Sequence, residues 1–237
     1  MAKSYKRILL KLSGEMLQGQ SDFGIDPVFL NQLAEEICTL SNAKFEVAIV
    51  IGGGNFWRGR DASSFGMKQA QADQVGMMAT LMNSLSLQGV LERDGLQVRV
   101  LSAVPVPSIT ESYIRRKAIR HLEKKRIVIF ACGTGSPFFS TDTAASLRAA
   151  EIGAEVVLKA TNVDYVYSDD PSKNPNAKKY TKILFTEVLT KNLKFMDSTA
   201  ISLCRDNSIP IVVFSMKKLD NLINVFLSDN VGTLITN

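Results

Sequence analysis

The sequence predicts an α/β fold, a three-layer αβα sandwich in which helices cover both faces of a central, mostly parallel sheet. Short β-branched runs alternate with helical patterns along the whole chain, and this alternation is typical of parallel sheets. A length of 237 residues suits one large domain. Because no linker, low-complexity stretch or fixed-period repeat interrupts the pattern, we predict a single domain over residues 1–237.

The predicted elements follow from local patterns of apolar residues. Strands are expected at residues 5–12, 47–51, 97–101, 126–131, 156–158, 211–214 and 233–235. Helices are expected from about residue 26, and at residues 68–93, 111–124, 141–153, 198–205 and 219–227. Asp26 can cap the first helix, and Pro27 suits its first turn. The polar segment 168–179, which contains two prolines, predicts a hairpin or a long loop.

The composition excludes several classes of protein. Hydrophobic residues make up 46% of the chain and charged residues 22%, which is ordinary for a globular protein in water. No apolar run approaches the ~18 residues of a membrane-spanning helix, and no secretory leader is recognisable, so we expect a cytoplasmic protein without a membrane partner. The cysteines Cys38, Cys132 and Cys204 lie far apart, which argues against a disulfide framework or a zinc site. His121 is the only histidine, and this nearly excludes Ser-His and Cys-His catalysis.

The charge balance indicates anionic partners. The net charge is +5 and the sequence pI is about 9.1, which suits nucleotides, nucleic acid or an acidic membrane surface. The densest basic run, residues 115–126, lies on a predicted helix and has little aromatic interleaving. A solvated helix face explains this run better than nucleic-acid binding, and we expect no nucleic-acid partner.

Two segments that end predicted strands carry residues suited to phosphate. Lys11 interrupts an apolar strand, where burial is costly without an anionic partner, and Ser13 and Gly14 then let the backbone approach a ligand closely. An edge-strand lysine followed by a plain turn is the alternative. Residues 52–60 begin with three glycines whose backbone N–H groups can form an anion-binding nest, and Arg58 adds a charge. A loop that needs unusual dihedral angles for packing is the alternative here.

Two later segments at strand ends suit a polar ligand. Residues 133–142 lead from a strand into a helix, and their small residues, hydroxyls and acid suit a ligand at the positive helix end. We expect Asp142 to cap this helix, to contact the ligand, or to do both. Residues 161–171 mix polar and aromatic side chains that can enclose a base and a ribose, although an ordinary turn has the same composition.

Motifs of other nucleotide-binding folds are absent from the sequence. There is no G-x-x-x-x-G-K-[ST] loop, no G-x-G-x-x-G that opens a helix after a strand, and no protein-kinase catalytic loop. The sequence therefore argues against a P-loop kinase and against a protein kinase.

The four segments, in this order and with this spacing, resemble the amino-acid kinase superfamily over essentially the whole chain. The superfamily has a pattern in which an aspartate is followed by an alanine and then a leucine. Asp142, Ala145 and Leu147 match this pattern here. Within the superfamily, the segments are most similar to the bacterial UMP kinase family. The resemblance implies the reaction of ATP with UMP to give ADP and UDP, with Mg2+ as the metal ion.

The resemblance also implies a role for each matched position. For ATP binding these are Lys11, Leu12, Ser13, Gly14, Gly54, Arg58, Thr161, Asn162, Tyr167 and Asp170. For UMP binding they are Gly53, Asp73, Thr134, Gly135, Ser136, Pro137, Phe138, Phe139, Ser140 and Thr141, with Asp73 holding the ribose. The catalytic positions are Lys11, Arg58, Asp142 and Asp197, of which the two acids orient Lys11 or the magnesium shell. No protein ligand to the metal is implied, since Mg2+ is expected to be held mainly through the ATP phosphates.

Three features depart from the family pattern. Ser136 stands where asparagine is usual. Tyr165 lies in a V-D-Y-V segment where V-D-G-V is usual. Phe56 and Trp57 are bulkier than the common pair after the glycines. None of these departures removes a charged residue that the chemistry needs.

Regulation and assembly are further implications of the resemblance. GTP is the expected activator and UTP the expected inhibitor, and the segment linked in the family to GTP matches Gly19, Gln20, Ser21, Asp22, Phe23 and Gly24. The segment 68–93 carries apolar residues around more than one helix face, which suits an interface as well as a core. We expect a homohexamer, a trimer of dimers, with this helix in the dimer contact; a deeply buried helix of one subunit is the alternative.

Two other functions remain open on the sequence. One is another enzyme of the superfamily that acts on a carboxylate or a carbamate, although Asp73 and residues 134–141 favour a nucleotide acceptor. The other is a non-catalytic nucleotide sensor, which would not need Lys11 or Asp142.

Overall fold

The computed structural model describes residues 5–58, 65–171, 173–174, 176–217, 221–228 and 231–237. Its strands are β1 (Arg7–Leu12), β2 (Glu46–Ile51), β3 (Val98–Ser102), β4 (Glu111–Ser112), β5 (Ile127–Ala131), β6 (Val156–Thr161), β7 (Val166–Tyr167), β8 (Lys179–Tyr180), β9 (Lys182–Leu184), β10 (Ile211–Ser215) and β11 (Thr233–Thr236). Its helices are α1 (Gly14–Leu17), α2 (Pro27–Asn42), α3 (Gln69–Arg93), α4 (Arg115–Glu123), α5 (Thr141–Ile152), α6 (Phe185–Thr190), α7 (Ser198–Asp206) and α8 (Asn221–Leu227).

Within the described residues, nine strands form one sheet in the order β4-β3-β5-β2-β1-β6-β10-β11-β9. Neighbouring strands pair in parallel, except that β11 runs antiparallel to β10. The chain first builds the sheet on one side of β1 and then crosses to β6 on the other side. Ligands of open α/β sheets bind beyond the strand carboxyl ends at such a point, so the β1–β6 pair is where a site is expected.

Helices cover both faces of this sheet. Alternate side chains of β1 point to opposite faces. Leu10 belongs to a cluster that includes buried side chains of α1, α2, α3 and α8, whereas Leu9 belongs to one with buried side chains of α4, α5, α6 and α7. Both clusters consist of buried apolar side chains, and the sheet is the middle layer between them. The predicted three-layer α/β fold is confirmed.

The sequence-based prediction is wrong at the start of one helix. Residues 111–124 were expected to be helical, but Glu111–Ser112 pair with β3 as an edge strand and the helix begins at Arg115. Ile114 precedes it with extended dihedral angles and no capping side chain, so no sequence signal marks this boundary. The short elements α1, α6 and β9 are absent from the prediction, because elements of this length show no clear hydrophobic period. The first two residues of the expected helix 219–227 lie outside the described residues.

Two local predictions are confirmed. The Asp26 side chain caps α2 by accepting hydrogen bonds from the N–H groups of Val28 and Phe29, at 2.8 and 3.3 Å. The segment 168–179 connects β7 and β8, which pair antiparallel as a hairpin, although residues 172 and 175 lie outside the described part of the chain. No helix among the described residues is long and apolar enough to cross a membrane.

Candidate active site

Two buried lysines and one aspartate form a charged centre at the carboxyl end of the sheet. Lys11 in β1 and Lys159 in β6 are paired neighbours across these parallel strands. The Nζ atom of Lys11 lies 2.7 Å from Oδ1 of Asp142, and that of Lys159 lies 2.5 Å from Oδ2. The two lysine side chains are only 9% and 7% exposed. The two lysines share one carboxylate, so one positive charge is left in surplus. Since a buried charge is costly without a partner, this surplus favours the binding of an anionic ligand.

Strand geometry explains why both lysines reach Asp142. Side chains alternate across a strand, so Lys11 shares a face with Leu9, and Lys159 shares a face with Val157. Leu9 and Val157 belong to the apolar cluster under α5, whose first turn carries Asp142. Our sequence reasoning identifies Lys11 and misses Lys159. The sequence does contain a signal for Lys159, because this second lysine interrupts an apolar strand near its carboxyl end, as Lys11 does.

Burial and neighbouring charges shift the titration of this centre. Burial and the like charge of Lys11 lower the pKa of Lys159 to about 8, although Asp142 and Asp197 act in the opposite direction. Burial alone raises the pKa of Asp142, but Lys11 and Lys159 outweigh it and hold that pKa below its ordinary value. Asp142 is therefore ionised at neutral pH, whereas Lys159 loses its charge only slightly above neutrality. An anion placed beside Lys159 would raise its pKa again.

Ser140, and not Asp142, caps α5. The Ser140 hydroxyl accepts hydrogen bonds from the backbone N–H groups of Asp142 and Thr143, each at 3.0 Å. The capping alternative for Asp142 is therefore wrong, because its carboxylate is engaged by the two lysines instead.

Asp197 joins the starts of α5 and α7. Its Oδ1 atom accepts hydrogen bonds from the Thr143 hydroxyl at 2.9 Å and from the Ala200 N–H at 2.8 Å, and its Oδ2 atom accepts one from the Ser140 hydroxyl. Asp197 thus helps to position the helix that presents Asp142. Its predicted role in orienting Lys11 or a magnesium shell stays a prediction.

Close packing explains part of the glycine pattern after β2. A Cβ atom on Gly53 would lie 2.8 Å from the backbone oxygen of Gly76 in α3, and one on Gly14 would lie 2.5 Å from the oxygen of Gly52. None of the three consecutive glycines has a positive φ. The N–H groups of Gly53 and Gly54 have no backbone hydrogen-bond partner among the described residues, which leaves them available to an anion.

Two buried asparagines hold this glycine loop in place. The side-chain amides of Asn55 and Asn83 donate hydrogen bonds to each other, at 2.9 and 2.7 Å. The Asn83 amide also donates to the Gly52 oxygen at 2.7 Å, and the Asn55 amide donates to the Gly24 oxygen at 2.8 Å. The network joins α3, the glycine loop and the segment 19–24, and it uses all four amide hydrogens.

Arg58 lies in the same loop, beside α1. Its Nε atom donates a hydrogen bond to the Gly54 oxygen at 3.3 Å and lies 3.4 Å from Oε1 of Glu15. Part of its side chain is exposed, so it can reach a ligand. Residues 59 and 60, which end the predicted segment, lie outside the described residues.

The segment expected to respond to GTP contacts the glycine loop. The Gly24 N–H donates a hydrogen bond to the Asn55 oxygen at 3.0 Å. The exposed Phe23 ring packs edge-to-face on Phe56 with ring centroids 5.5 Å apart. Segment 19–24 and the glycine loop are therefore in direct contact.

A first cavity lies between the start of α3 and the loop after β5. It is lined by six of the predicted UMP-binding residues, namely Gly53, Asp73, Thr134, Ser136, Phe139 and Thr141. Asp73 ties the loop to α3, because its Oδ2 atom accepts the Phe138 N–H at 2.8 Å while Oδ1 accepts the Gln69 amide at 2.7 Å. The other four predicted residues, Gly135, Pro137, Phe138 and Ser140, belong to the same loop.

A second cavity, of about 660 Å3, opens beyond the carboxyl ends of β6 and β10. Pockets for small molecules and cofactors commonly have volumes of about 300 to 1,000 Å3. Asn162 lines it directly, together with Asp164. Thr161 and Tyr167 support this wall, since the Thr161 hydroxyl donates to the Val163 oxygen at 2.7 Å and the Tyr167 hydroxyl donates to Asp164 at 2.9 Å.

Some residues of the second cavity were not anticipated from the sequence. The predicted Asp170 does not line the cavity, but its neighbour Pro171 does. Lining residues that the sequence analysis does not name are Ser215, Lys217, Asn221, Val231 and Gly232. Lys217 follows the carboxyl end of β10, and this position is the signal that would have identified it. The charged centre lies between the two cavities along the chain, since Asp142 follows Thr141 and Lys159 precedes Thr161 by two residues.

The described residues include no group of three or more His, Cys, Asp or Glu side chains that converges as a metal site. Asp142 is already shared by two lysines, and Asp197 by two hydroxyls and a helix N–H. Mg2+ is commonly held by one or two carboxylates plus substrate phosphates. A magnesium ion here therefore fits best as the partner of a bound polyphosphate.

One face of α3 remains apolar and partly exposed. Val75, Met78 and Met82 are spaced three and four residues apart, whereas Met77 and Leu81 are buried against the sheet. The alternative of a helix that is deeply buried within one subunit does not hold for this face.

The fold and the charged centre agree with one known class of protein. The sequence matches the Amino acid kinase family over residues 6–215, and the chain belongs to this family. Solved structures extend the similarity. The UMP kinase of Bacillus anthracis is 38% identical with a TM-score of 0.96, over 99% of this chain and 97% of that chain.

Two further solved structures are similar over nearly the whole chain. The UMP kinase of Ureaplasma parvum is 38% identical with a TM-score of 0.92, over 99% of this chain and 100% of that chain. The uridylate kinase of Archaeoglobus fulgidus is 25% identical with a TM-score of 0.76, over 97% of this chain and 99% of that chain. The family resemblance inferred from the four segments is confirmed.

Proposed function

We propose that this chain transfers the terminal phosphoryl group of ATP to the phosphate of UMP, giving ADP and UDP. The observation that carries this proposal is the pair of buried lysines, Lys11 and Lys159, on the single carboxylate of Asp142. Phosphoryl transfer passes through a transition state whose negative charge is spread over several oxygens, and fixed positive charge stabilises it. Similarity to two bacterial UMP kinases at 38% identity supports UMP as the acceptor.

The attacking atom is a phosphate oxygen of UMP. The second pKa of a phosphate monoester is about 6, so this group is already largely dianionic at neutral pH. No general base is needed, which agrees with a chain whose only histidine, His121, contacts Glu111 at 3.1 Å. The main obstacle is repulsion between two anionic substrates, and Lys11 and Lys159 oppose that repulsion from the β1–β6 pair.

Each substrate has its own cavity in this proposal. The nucleoside of ATP occupies the cavity beside Asn162, and its phosphates extend to Lys11, Gly54 and Arg58. UMP occupies the cavity beside Asp73, whose remaining acceptor capacity suits a ribose hydroxyl. Mg2+ bound to the ATP phosphates supplies further neutralisation of charge. Asp142 and Asp197 hold the lysines and the start of α5 in place.

Regulation and assembly form a second part of the proposal. GTP activates through the segment 19–24, UTP inhibits, and the exposed face of α3 forms the dimer contact of a hexamer built from three dimers. Light scattering coupled to size-exclusion chromatography tests the assembly, since a particle near the 26.0 kDa mass of one chain would contradict it. A flat response of the rate to millimolar GTP and UTP would contradict the regulation.

The acceptor is tested by measuring ADP release from ATP with a panel of UMP, CMP, dUMP, glutamate, aspartate and carbamate. UMP is expected to react far faster than every other acceptor. An amino acid or CMP that reacts as fast as UMP would show that the acceptor assignment is wrong.

A further inference from the structure

We propose that Arg148 is a positioning residue that fastens the acceptor loop after β5 to α5, the helix that carries Asp142. This inference rests on the proposed function, because it takes residues 134–141 as the binding segment for the acceptor. Arg148 does not touch either cavity. It acts through the backbone of Gly133, the residue that begins the loop.

Arg148 is buried in a small polar network between α5, Tyr113 and Gly133. Its side chain is 5% exposed, and its Nη1 atom lies 2.6 Å from Oε2 of Glu151. Its Nη2 atom donates a hydrogen bond to the Gly133 oxygen at 3.3 Å. The guanidinium carbon lies 3.8 Å above the ring centre of Tyr113, whose hydroxyl donates to Glu151 at 2.5 Å. The stacking on Tyr113, the ion pair with Glu151 and the hydrogen bond to Gly133 together fix the plane of the guanidinium group.

The loop needs such a support because it begins with a strained turn. Cys132 and Gly133 both have left-handed backbones, with φ of 62° and 58°, and Phe138 has a φ of 70°. A non-glycine residue with positive φ costs free energy and persists only where its surroundings hold it. On one side, the Cys132 N–H donates to the Thr80 hydroxyl at 2.9 Å. On the other side, the Gly133 oxygen is held by Arg148.

Only arginine suits this position. Its planar fork presents separate donors to Glu151 and to Gly133 at the same time, whereas a lysine ammonium on a flexible stem cannot hold both in a fixed plane. An apolar residue would satisfy the packing of α5 at lower cost, so a buried arginine indicates a specific task.

The task follows from the positions of Asp142 and Arg148 along α5. Asp142 stands six residues before Arg148 on the same helix, and it binds both lysines. Fastening Gly133 to this helix therefore fixes the distance between the acceptor and the charged centre. Misplacement of a substrate by about 1 Å can cost about 100-fold in rate.

The test compares Arg148→Lys with the matched control Arg115→Lys. Arg115 donates to the backbone oxygen of Glu151 but does not contact Gly133, so the control repeats the chemical change without loosening the loop. We expect Arg148→Lys to raise KM for UMP roughly tenfold or more, as loss of a charge-assisted hydrogen bond does, and to lower kcat. KM for ATP should stay within about twofold in both variants, because neither arginine lines the second cavity, which is assigned to ATP.

A second variant and a binding measurement keep the test decisive. Tyr113→Phe keeps the ion pair of Arg148 and removes one bond of the network, so it should raise KM for UMP in the same direction but less. Calorimetric binding of UMP without ATP should weaken in parallel with KM. Equal increases in both KM values, or a lower melting temperature with both KM values unchanged, would overturn the role of Arg148. If Arg148→Lys does not fold, the effect of Tyr113→Phe on KM for UMP decides. Failure of the wild-type chain to use UMP would instead contradict the proposed function.

Discussion

Glu46, at the amino end of β2, and Asp142, at the carboxyl end of the sheet, are both carboxylates surrounded by cations, and their side chains are 2% and 15% exposed. Two guanidinium nitrogens of Arg7 lie 2.8 Å from Glu46, and the ammonium groups of Lys6 and Lys125 lie 3.5 and 3.4 Å away. Glu46 therefore has three cationic neighbours, Lys6, Arg7 and Lys125, which we call the amino-end cluster, whereas Asp142 has two.

The two clusters differ in where their surplus positive charge lies. The side chains of Lys6 and Lys125 are 69% and 45% exposed, so water solvates their charge and Arg7 alone pairs with the carboxylate inside the protein. The side chains of Lys11 and Lys159 are 9% and 7% exposed, so their surplus charge stays buried. The number of cations therefore does not distinguish a structural ion pair from a binding centre, but the exposure of the second cation does.

The largest expected effect is on turnover when a buried lysine is removed. Lys11→Ala and Lys159→Ala should each lower kcat roughly 100-fold or more, as removal of a key electrostatic stabiliser does. Lys125→Ala, the control from the amino-end cluster, should change kcat by less than about twofold, because exposed ion pairs contribute little. Rates of ADP release with UMP, together with circular dichroism spectra, check this. A loss of only a few-fold in a folded Lys159→Ala variant would remove Lys159 from the chemistry.

Isosteric neutralisation of each carboxylate separates chemistry from stability. Asp142→Asn should lower kcat roughly 100-fold, because the lysines lose the group that holds them, while Ser140 still caps α5. Glu46→Gln should leave kcat unchanged and lower the free energy of unfolding by about 3 kcal/mol, since Arg7 keeps its charge without an ionised partner. Steady-state rates and denaturant unfolding measure the two effects. Equal loss of turnover in both variants would mean that Asp142 acts through stability alone.

A smaller effect is expected at acid pH. Burial alone raises the pKa of Glu46, but its hydrogen bond with Arg7 and the charges of Arg7 and Lys125 outweigh burial and lower that pKa. A carboxyl group with a lowered pKa stabilises the fold above its ordinary pKa, and this contribution is lost as the pH falls through the lowered value. Unfolding free energies measured from pH 6 to pH 3 should therefore fall less steeply for Glu46→Gln than for the wild type. Parallel curves for the two proteins would contradict the ion-pair account of Glu46.

The loops at the strand carboxyl ends were predictable because their composition is local. Lys11 breaks an apolar run, consecutive glycines follow β2, and small polar residues follow β5, so each segment shows its character within a few positions. The same reasoning applied to the run before Thr161 would have included Lys159. The helix cap at Ser140 was within reach of sequence reasoning as well, since serine caps helices as well as aspartate does.

The supporting network was not predictable, because it depends on contacts between distant residues. Asn55 and Asn83 are 28 residues apart, and Tyr113 and Glu151 are 38 residues apart. In the sequence, Asn83 and Arg148 look like ordinary polar residues of a helix. Only the packing of α3 and α5 on the sheet reveals that both are buried and hold the backbone of a loop.

Proton uptake on nucleotide binding tests the central claim most directly, namely that the buried positive charge of Lys11 and Lys159 acts on an anionic substrate. Because its pKa is lowered to about 8, Lys159 is only partly protonated at pH 8 in the ligand-free protein. Bound phosphate raises that pKa, so binding of ATP should be accompanied by net proton uptake at each site. Calorimetric titrations at pH 8 in two buffers of different ionisation enthalpy measure this uptake, with Lys159→Met as the control that should show none. No uptake in the wild type, or the same uptake in both proteins, would contradict the account.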